Sequence, residues 1–129
     1  MRRFTPAGVL MLLFALFISA CGKAPDPAAK AVEDYLSALV NKDSARLSAL
    51  SCADWEASAM LELDSLQAVA TKLEGLTCSV SGTSGTTSEI SCQGKILTTY
   101  NNEEQQLDLS VRTYQVVKQG GDYLVCGYK

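Results

Sequence analysis

Apolar residues recur along this chain with three different patterns, and each pattern predicts an element. From Ala7 to Ile18 the chain reads AGVLMLLFALFI, an unbroken apolar run with Arg2-Arg3 before it and Ser19-Ala20 after it. Further on, Val32, Tyr35, Leu36, Leu39 and Val40 stand at i, i+3, i+4, i+7 and i+8, the spacing that collects side chains on one face of an α-helix. Lys30, Glu33, Asp34 and Ser37 fall off that stripe. Asp26 and Pro27 precede it as N-cap and first helical residue: a carboxylate accepts from the free N–H groups of the first turn, and proline has no N–H to leave unpaired. The helix is expected to end near Asn41. Asp43 then suits the cap of a short second helix, with Leu47 and Leu50 as its apolar contacts and Ser51-Cys52 as its end. A third helix is predicted from Asp54 as cap, with Trp55 in its first turn. Its stripe runs through Ala59, Leu63, Leu66, Ala70 and Leu73 to Gly75, a fitting C-terminal stop.

After Gly75 the period changes to two, the signature of half-buried strands. Leu76, Cys78 and Val80 alternate with polar residues, and Gly82 to Thr87 reads as a turn. Ile90, Cys92, Gly94, Ile96 and Thr98 mark one face of a second strand over 88–100. Asn101-Asn102-Glu103-Glu104 is turn chemistry, and Leu107, Leu109 and Val111 alternate with Asp108, Ser110 and Arg112 in a third strand. Gly120-Gly121 predicts a two-residue hairpin, leading into a last strand from Tyr123 to Tyr128. Three helices followed by four meandering antiparallel strands is an α+β order. A first turn centred on Gly85 sets Cys78 opposite Cys92. A second centred on residues 102–103 sets Ile96 opposite Leu109 and Gly94 opposite Val111.

The N-terminal run changes how everything after it is understood. A charged start, a short apolar stretch and small residues at its end describe a secretory signal peptide, and the stretch falls short of the roughly 20 apolar residues a membrane-spanning helix needs. Removing residues 1–20 of 129 leaves 109, enough for one domain over 27–129, joined through a tether at 21–26 that includes Gly22-Lys23-Ala24-Pro25. Of the 11 basic residues Arg2 and Arg3 leave, so 9 stand against 14 acidic ones, a formal charge of −5. That balance, with no basic run, argues against nucleic acid or anionic headgroups as partners. Four cysteines follow Cys21, namely Cys52, Cys78, Cys92 and Cys126, and an even count in a small exported domain reads as two disulfides. The alternative, a four-cysteine zinc site, lacks close ligand spacing and any histidine. Three connectivities are open to four cysteines. The hairpin register favours Cys78–Cys92, which leaves Cys52–Cys126.

Ile18-Ser19-Ala20-Cys21, followed by Gly22, resembles the lipobox of bacterial lipoproteins. The resemblance implies a diacylglyceryl group on the Cys21 thiol, cleavage before Cys21 and acylation, with palmitate for example, of the new amine. Cys21 is then the lipidation site, and the chain is attached to a membrane of the bacterial cell envelope, facing the periplasm or exterior. Over roughly residues 27–128 the stretch PAAKAVEDYLSALVNKDSARLSAL and the closing GGDYLV resemble the nuclear transport factor 2-like superfamily, whose folds are cystatin-like. The features carrying this are the turn at Asn41-Lys42-Asp43 and the pair Tyr123 and Val125 after a glycine turn. The resemblance implies N-terminal helices packed on a curved four-stranded antiparallel sheet that closes like a cone, here with two disulfides. Some members use the cone as an active site; others bind ligands or serve as interaction domains.

Residue types weigh against chemistry inside such a cone. Without histidine there is no Ser-His-Asp or Cys-His set. Carboxylates and tyrosines could still move protons, but Asp108 and Glu89 fall out of phase with the apolar face. Tyr100, Tyr114, Tyr123 and Tyr128 suit core or edge packing better than a pocket mouth. Gly82-Thr83-Ser84-Gly85 lacks the lysine and following helix of a phosphate loop. Trp55 reads as a core anchor rather than a stacking platform, and Asp34, Asp43, Asp54 and Asp64 as caps and surface residues. The expectation is a non-enzymatic, lipid-anchored binding or accessory domain, with no catalytic residues, cofactor or metal, that meets an envelope protein or a small ligand near the membrane. The alternatives are a small isomerase- or hydrolase-like enzyme using the cone interior, and a purely structural accessory lipoprotein of an envelope assembly.

Overall fold

The computed structural model describes residues 24–129, and the lipobox with Cys21 lies outside them. Helix α1 (Pro27–Val40) is the centre of the molecule. Asp26 caps it by accepting from the Ala28 N–H at 2.8 Å, and Asn41 closes it. Its stripe is broader than the periodicity demanded. Alanines 28, 29, 31 and 38 are buried beside Val32, Tyr35, Leu36, Leu39 and Val40, so α1 is covered on more than one side. Asp43 caps the short α2 (Ser44–Ala49), whose Leu47 is fully buried.

Helix α3 runs from Ala53 to Ser65, ten residues short of the expected stop at Gly75. Cys52, not Asp54, is its N-cap, and Asp54 lies in the first turn, where a carboxylate still complements the helix dipole. Ala70 and Leu73 belong instead to β1 (Ala70–Ser84), opposite Thr99 and Ile96 of β2 (Thr87–Tyr100). The spacing of those apolar residues fits a helix, but a long cross-strand ladder outweighs local propensity. Gly75 sits in a bulge of β1 at φ 64°, where the register shifts between Glu74 and Thr77. Its left-handed backbone serves a bend of the sheet rather than a helix end.

The sheet has five strands, one more than expected. After a turn at Asn101-Asn102, both at positive φ (49° and 64°), β3 (Glu103–Asp108) pairs with the C-terminal half of β2. A 3₁₀ turn over Leu109–Val111 follows, and β4 (Thr113–Gln119) pairs with the N-terminal half of the same strand. The single strand expected through Leu107, Leu109 and Val111 is broken because Asp108 accepts from the Ser110 N–H and hydroxyl, a local bond that competes with the ladder. Leu109 is buried while Val111 is 70% exposed, so the alternation stops there. The two-residue turn also closes the hairpin one residue earlier. Ile96 therefore faces Leu107, not Leu109, and Lys95 faces Asp108. Gly120-Gly121 turns β4 into β5 (Asp122–Tyr128), and the order across the sheet is β1-β2-β4-β5.

Two cysteine pairs stand at disulfide distance, Cys78 with Cys92 and Cys52 with Cys126, their Cα atoms 4.1 and 5.1 Å apart. The first links β1 to β2 at directly opposed positions. The second reinforces a seam where the α2–α3 link lies along β5: the Cys52 N–H donates to the Val125 carbonyl at 2.9 Å and the Val125 N–H to the Leu50 carbonyl at 2.8 Å.

Candidate functional site

The concave side of the curved sheet is where a cone-shaped site would form. Its walls are Ile90, Cys92 and Ile96 of β2, Leu109, Tyr114 and Val116, and Val125 of β5, all buried against Tyr35, Leu36 and Leu39 of α1. Apolar side chains fill most of it. Polar groups converge at one end, between α3 and the strands that follow the 3₁₀ turn.

There the Arg112 guanidinium reaches Glu62 Oε1 at 2.7 Å and lies 4.0 Å over the Tyr128 ring. Both side chains of the pair are largely covered, 17% and 18% exposed. Tyr114 Oη stands 3.5 Å from Arg112, a long separation for a hydrogen bond, so Glu62 is the stronger partner. The Trp55 indole N–H donates to Tyr35 Oη at 3.0 Å. Trp55 also packs edge-on to Tyr128 and over Gly127, where any side chain would meet its ring. Tyr114 bridges the group, its ring 5.5 Å from Tyr128 and 6.3 Å from Tyr35.

Burial governs the ionisation of these groups. It pushes the Tyr114 hydroxyl up to about 12 and raises that of Tyr35 well above the ordinary phenol range. For Arg112 burial acts against the charge, but bonds to Tyr114 and Glu62 reverse it, so the guanidinium stays charged. Glu62 Oε2 has no hydrogen-bond partner among the described residues. Held in this way, the cluster has neutral phenols and a carboxylate neutralised by a fixed cation. It ties α3 to the sheet.

The tyrosines considered from the sequence do not form one mouth. Tyr114 and Tyr128 meet in the cluster, Tyr123 lies against Lys118, and Tyr100 is 60% exposed at the far end of β2. Trp55 anchors α3, as its position suggested. Asp108 is exposed and caps the 3₁₀ turn, and Glu89 pairs with Lys129. The apolar pattern of the sequence does not single out the Glu62–Arg112 pair. A signal is there: Trp55 and Glu62 are seven apart on a helix, and Arg112 and Tyr114 two apart in extended backbone leading into β4, so each pair shares a face.

Outside the core, a cleft of about 670 Å³ lies on the convex face, lined by Glu74, Lys95, Gln106 and Asp108 around the point where Gly75 crosses Gly94. A second, of about 600 Å³, separates the N-terminal segment from β1.

No protein-family model and no curated protein matches the chain. Solved structures do. Aln2 from a Streptomyces species aligns over 79% of this chain and 85% of its own with a TM-score of 0.56 at 10% identity. An NTF2-like protein with a cystatin-like fold from Novosphingobium aromaticivorans aligns over 79% and 77% with a TM-score of 0.53 at 13% identity. A candidate scytalone dehydratase from the same organism aligns over 79% and 78%, with a TM-score of 0.53 at 14% identity. Such identities speak to architecture alone, and on that ground the chain has the cystatin-like α+β fold of nuclear transport factor 2-like proteins.

Proposed function

We propose that this chain is a lipid-anchored protein of the bacterial cell envelope whose domain binds a protein or small ligand near the membrane surface and carries out no catalysis. The observation that carries the non-enzymatic part is the filled concave face: Tyr35, Ile90, Leu109 and Tyr114 have no exposed surface. The interior carboxylate next to them, Glu62, is held by Arg112. The anchoring part rests on Ile18-Ser19-Ala20-Cys21. Palmitate labelling of wild type and Cys21→Ala tests it. Label is expected on the first and absent from the second; equal label on both sinks the anchor.

One observation favours a second reading, a small pocket enzyme of the isomerase or hydrolase class. Glu62 Oε2 is buried without a partner among the described residues, beside the tyrosine cluster, the kind of polar atom a substrate could engage. The candidate scytalone dehydratase on the same fold agrees with that reading as a fold analogy. A screen of small carbonyl and ester substrates separates the two: turnover abolished by Glu62→Gln supports the enzyme, and no turnover by the wild-type chain supports the binding domain.

A further inference from the structure

The two ends of the molecule differ, and Ala24 lies at one of them. The cleft lined by Ala24, Pro25, Pro27, Ala29 and Val80 sets the N-terminal segment beside β1 at Cys78 to Val80. From there β1 and β2 run on to their shared turn at Gly85-Thr86. Pro27 and Lys30 also line a cleft with Gly121 and Asp122, so the β4–β5 turn lies at the same end. At the opposite end, Lys42 Nζ donates to the Val69 carbonyl at 2.7 Å and Thr71 Oγ1 to the Val40 carbonyl at 2.6 Å. The end of α1 is thereby set beside the start of β1, and next to it stands the end of β2, with Tyr100 and the Asn101–Glu104 turn.

On the proposed-function reading of Cys21, we infer that the first end is the membrane-facing surface. The bilayer then meets the Gly82–Ser88 hairpin and the groove beside it, and the Asn101–Glu104 turn points away. Reach is the first argument. Three peptide steps separate Cys21 from Ala24, and an extended chain covers at most about 11 Å in that number. The length of β2, 14 residues, places its two ends about 43 Å apart along the strand, so an anchor that reaches one of them cannot reach the other. Charge is the second argument. In a chain of acidic balance, Gly75 to Ser88 contains no charged residue. Most acids around this end are occupied: Asp26 caps α1, Glu33 accepts from the Cys78 N–H at 3.0 Å, and Glu89 pairs with Lys129, while Asp122 of the β4–β5 turn is exposed. The far turn carries Glu103 and Glu104 side by side, which a leaflet rich in anionic lipid repels. Val80, 38% exposed on the free edge of β1, gives the near end an apolar contact.

The test uses the lipidated full chain in phosphatidylcholine vesicles containing brominated lipid. Thr86→Trp and Tyr100→Trp each place a reporter on an exposed residue at one end, and wild type supplies the background of Trp55. Quenching of the added tryptophan in Thr86→Trp is expected to exceed that in Tyr100→Trp by at least twofold. Equal quenching, or stronger quenching at position 100, in a chain that floats with the vesicles and carries palmitate overturns the orientation alone. A chain without palmitate that stays off the vesicles overturns the anchor and the orientation together.

Discussion

Gly94 shows how much one residue can carry. It sits at φ 107°, and a Cβ there would stand 2.6 Å from the Glu74 carbonyl oxygen and 2.7 Å from that of Gly75. Both the backbone conformation and the space exclude a side chain, so Gly94→Ala is expected to destabilise by about 3 kcal/mol or more, read as a lower urea midpoint. Arg112 carries a different cost. Arg112→Leu leaves the Glu62 carboxylate covered and without its cation, for a loss of about 2–3 kcal/mol. The double variant Glu62→Leu/Arg112→Leu should recover most of that, and a double as unstable as the single would show that Arg112 acts through packing instead. Tyr114 links stability to pH. Its hydroxyl titrates near 12 in the fold, against 10.0 ordinarily, because burial disfavours the phenolate. Above pH 10 the unfolded chain releases a proton that the folded chain keeps, so stability is full below pH 10 and falls as pH rises toward 12. Tyr114→Phe should lessen that alkaline decline in a denaturation series, leaving the share that belongs to Tyr35, whose hydroxyl burial also raises. Glycines 75 and 94 were visible in the sequence as glycines, but their roles depend on one strand crossing another.

Elements were legible where their signals are local. Asp26-Pro27, Asp43 and Gly120-Gly121 act as read because a cap or a two-residue turn is decided within a few residues. Boundaries set by distant partners were not. Residues 66–75 carry an apolar spacing that suits a helix, and β2 claims much of that segment as a strand. The break between β3 and β4 is a local event that the alternation of Leu107, Leu109 and Val111 concealed. It is also testable. Asp108→Ala removes both bonds to Ser110, so the Ser110 amide should exchange faster with solvent while amides within β4 keep their protection. Unchanged exchange at Ser110 would assign the turn to Leu109 burial alone.

The molecule as a whole is held by two closures of very different span. The Cys78–Cys92 pair spans 14 positions and the Cys52–Cys126 pair 74, worth about 3 and about 4.5 kcal/mol in the chain-entropy account. Replacing Cys52 and Cys126 together by serine should therefore lower the thermal midpoint more than replacing Cys78 and Cys92. It should also loosen the seam between the helices and β5. Peptide mapping without reductant should return these two pairs, and a Cys52–Cys78 or Cys78–Cys126 peptide would overturn the closure. By itself the sequence determined the α+β order, the caps of α1 and α2, the favoured cysteine pairing and the resemblance to a lipobox, because each is written in neighbours or in a hairpin register. Only the tertiary structure decided that the sheet has five strands, that α3 ends at Ser65, and that Glu62 meets Arg112. Those facts depend on residues dozens of positions apart competing for the same space, and a filled or open cone is decided in the same way, by which side chains arrive there together.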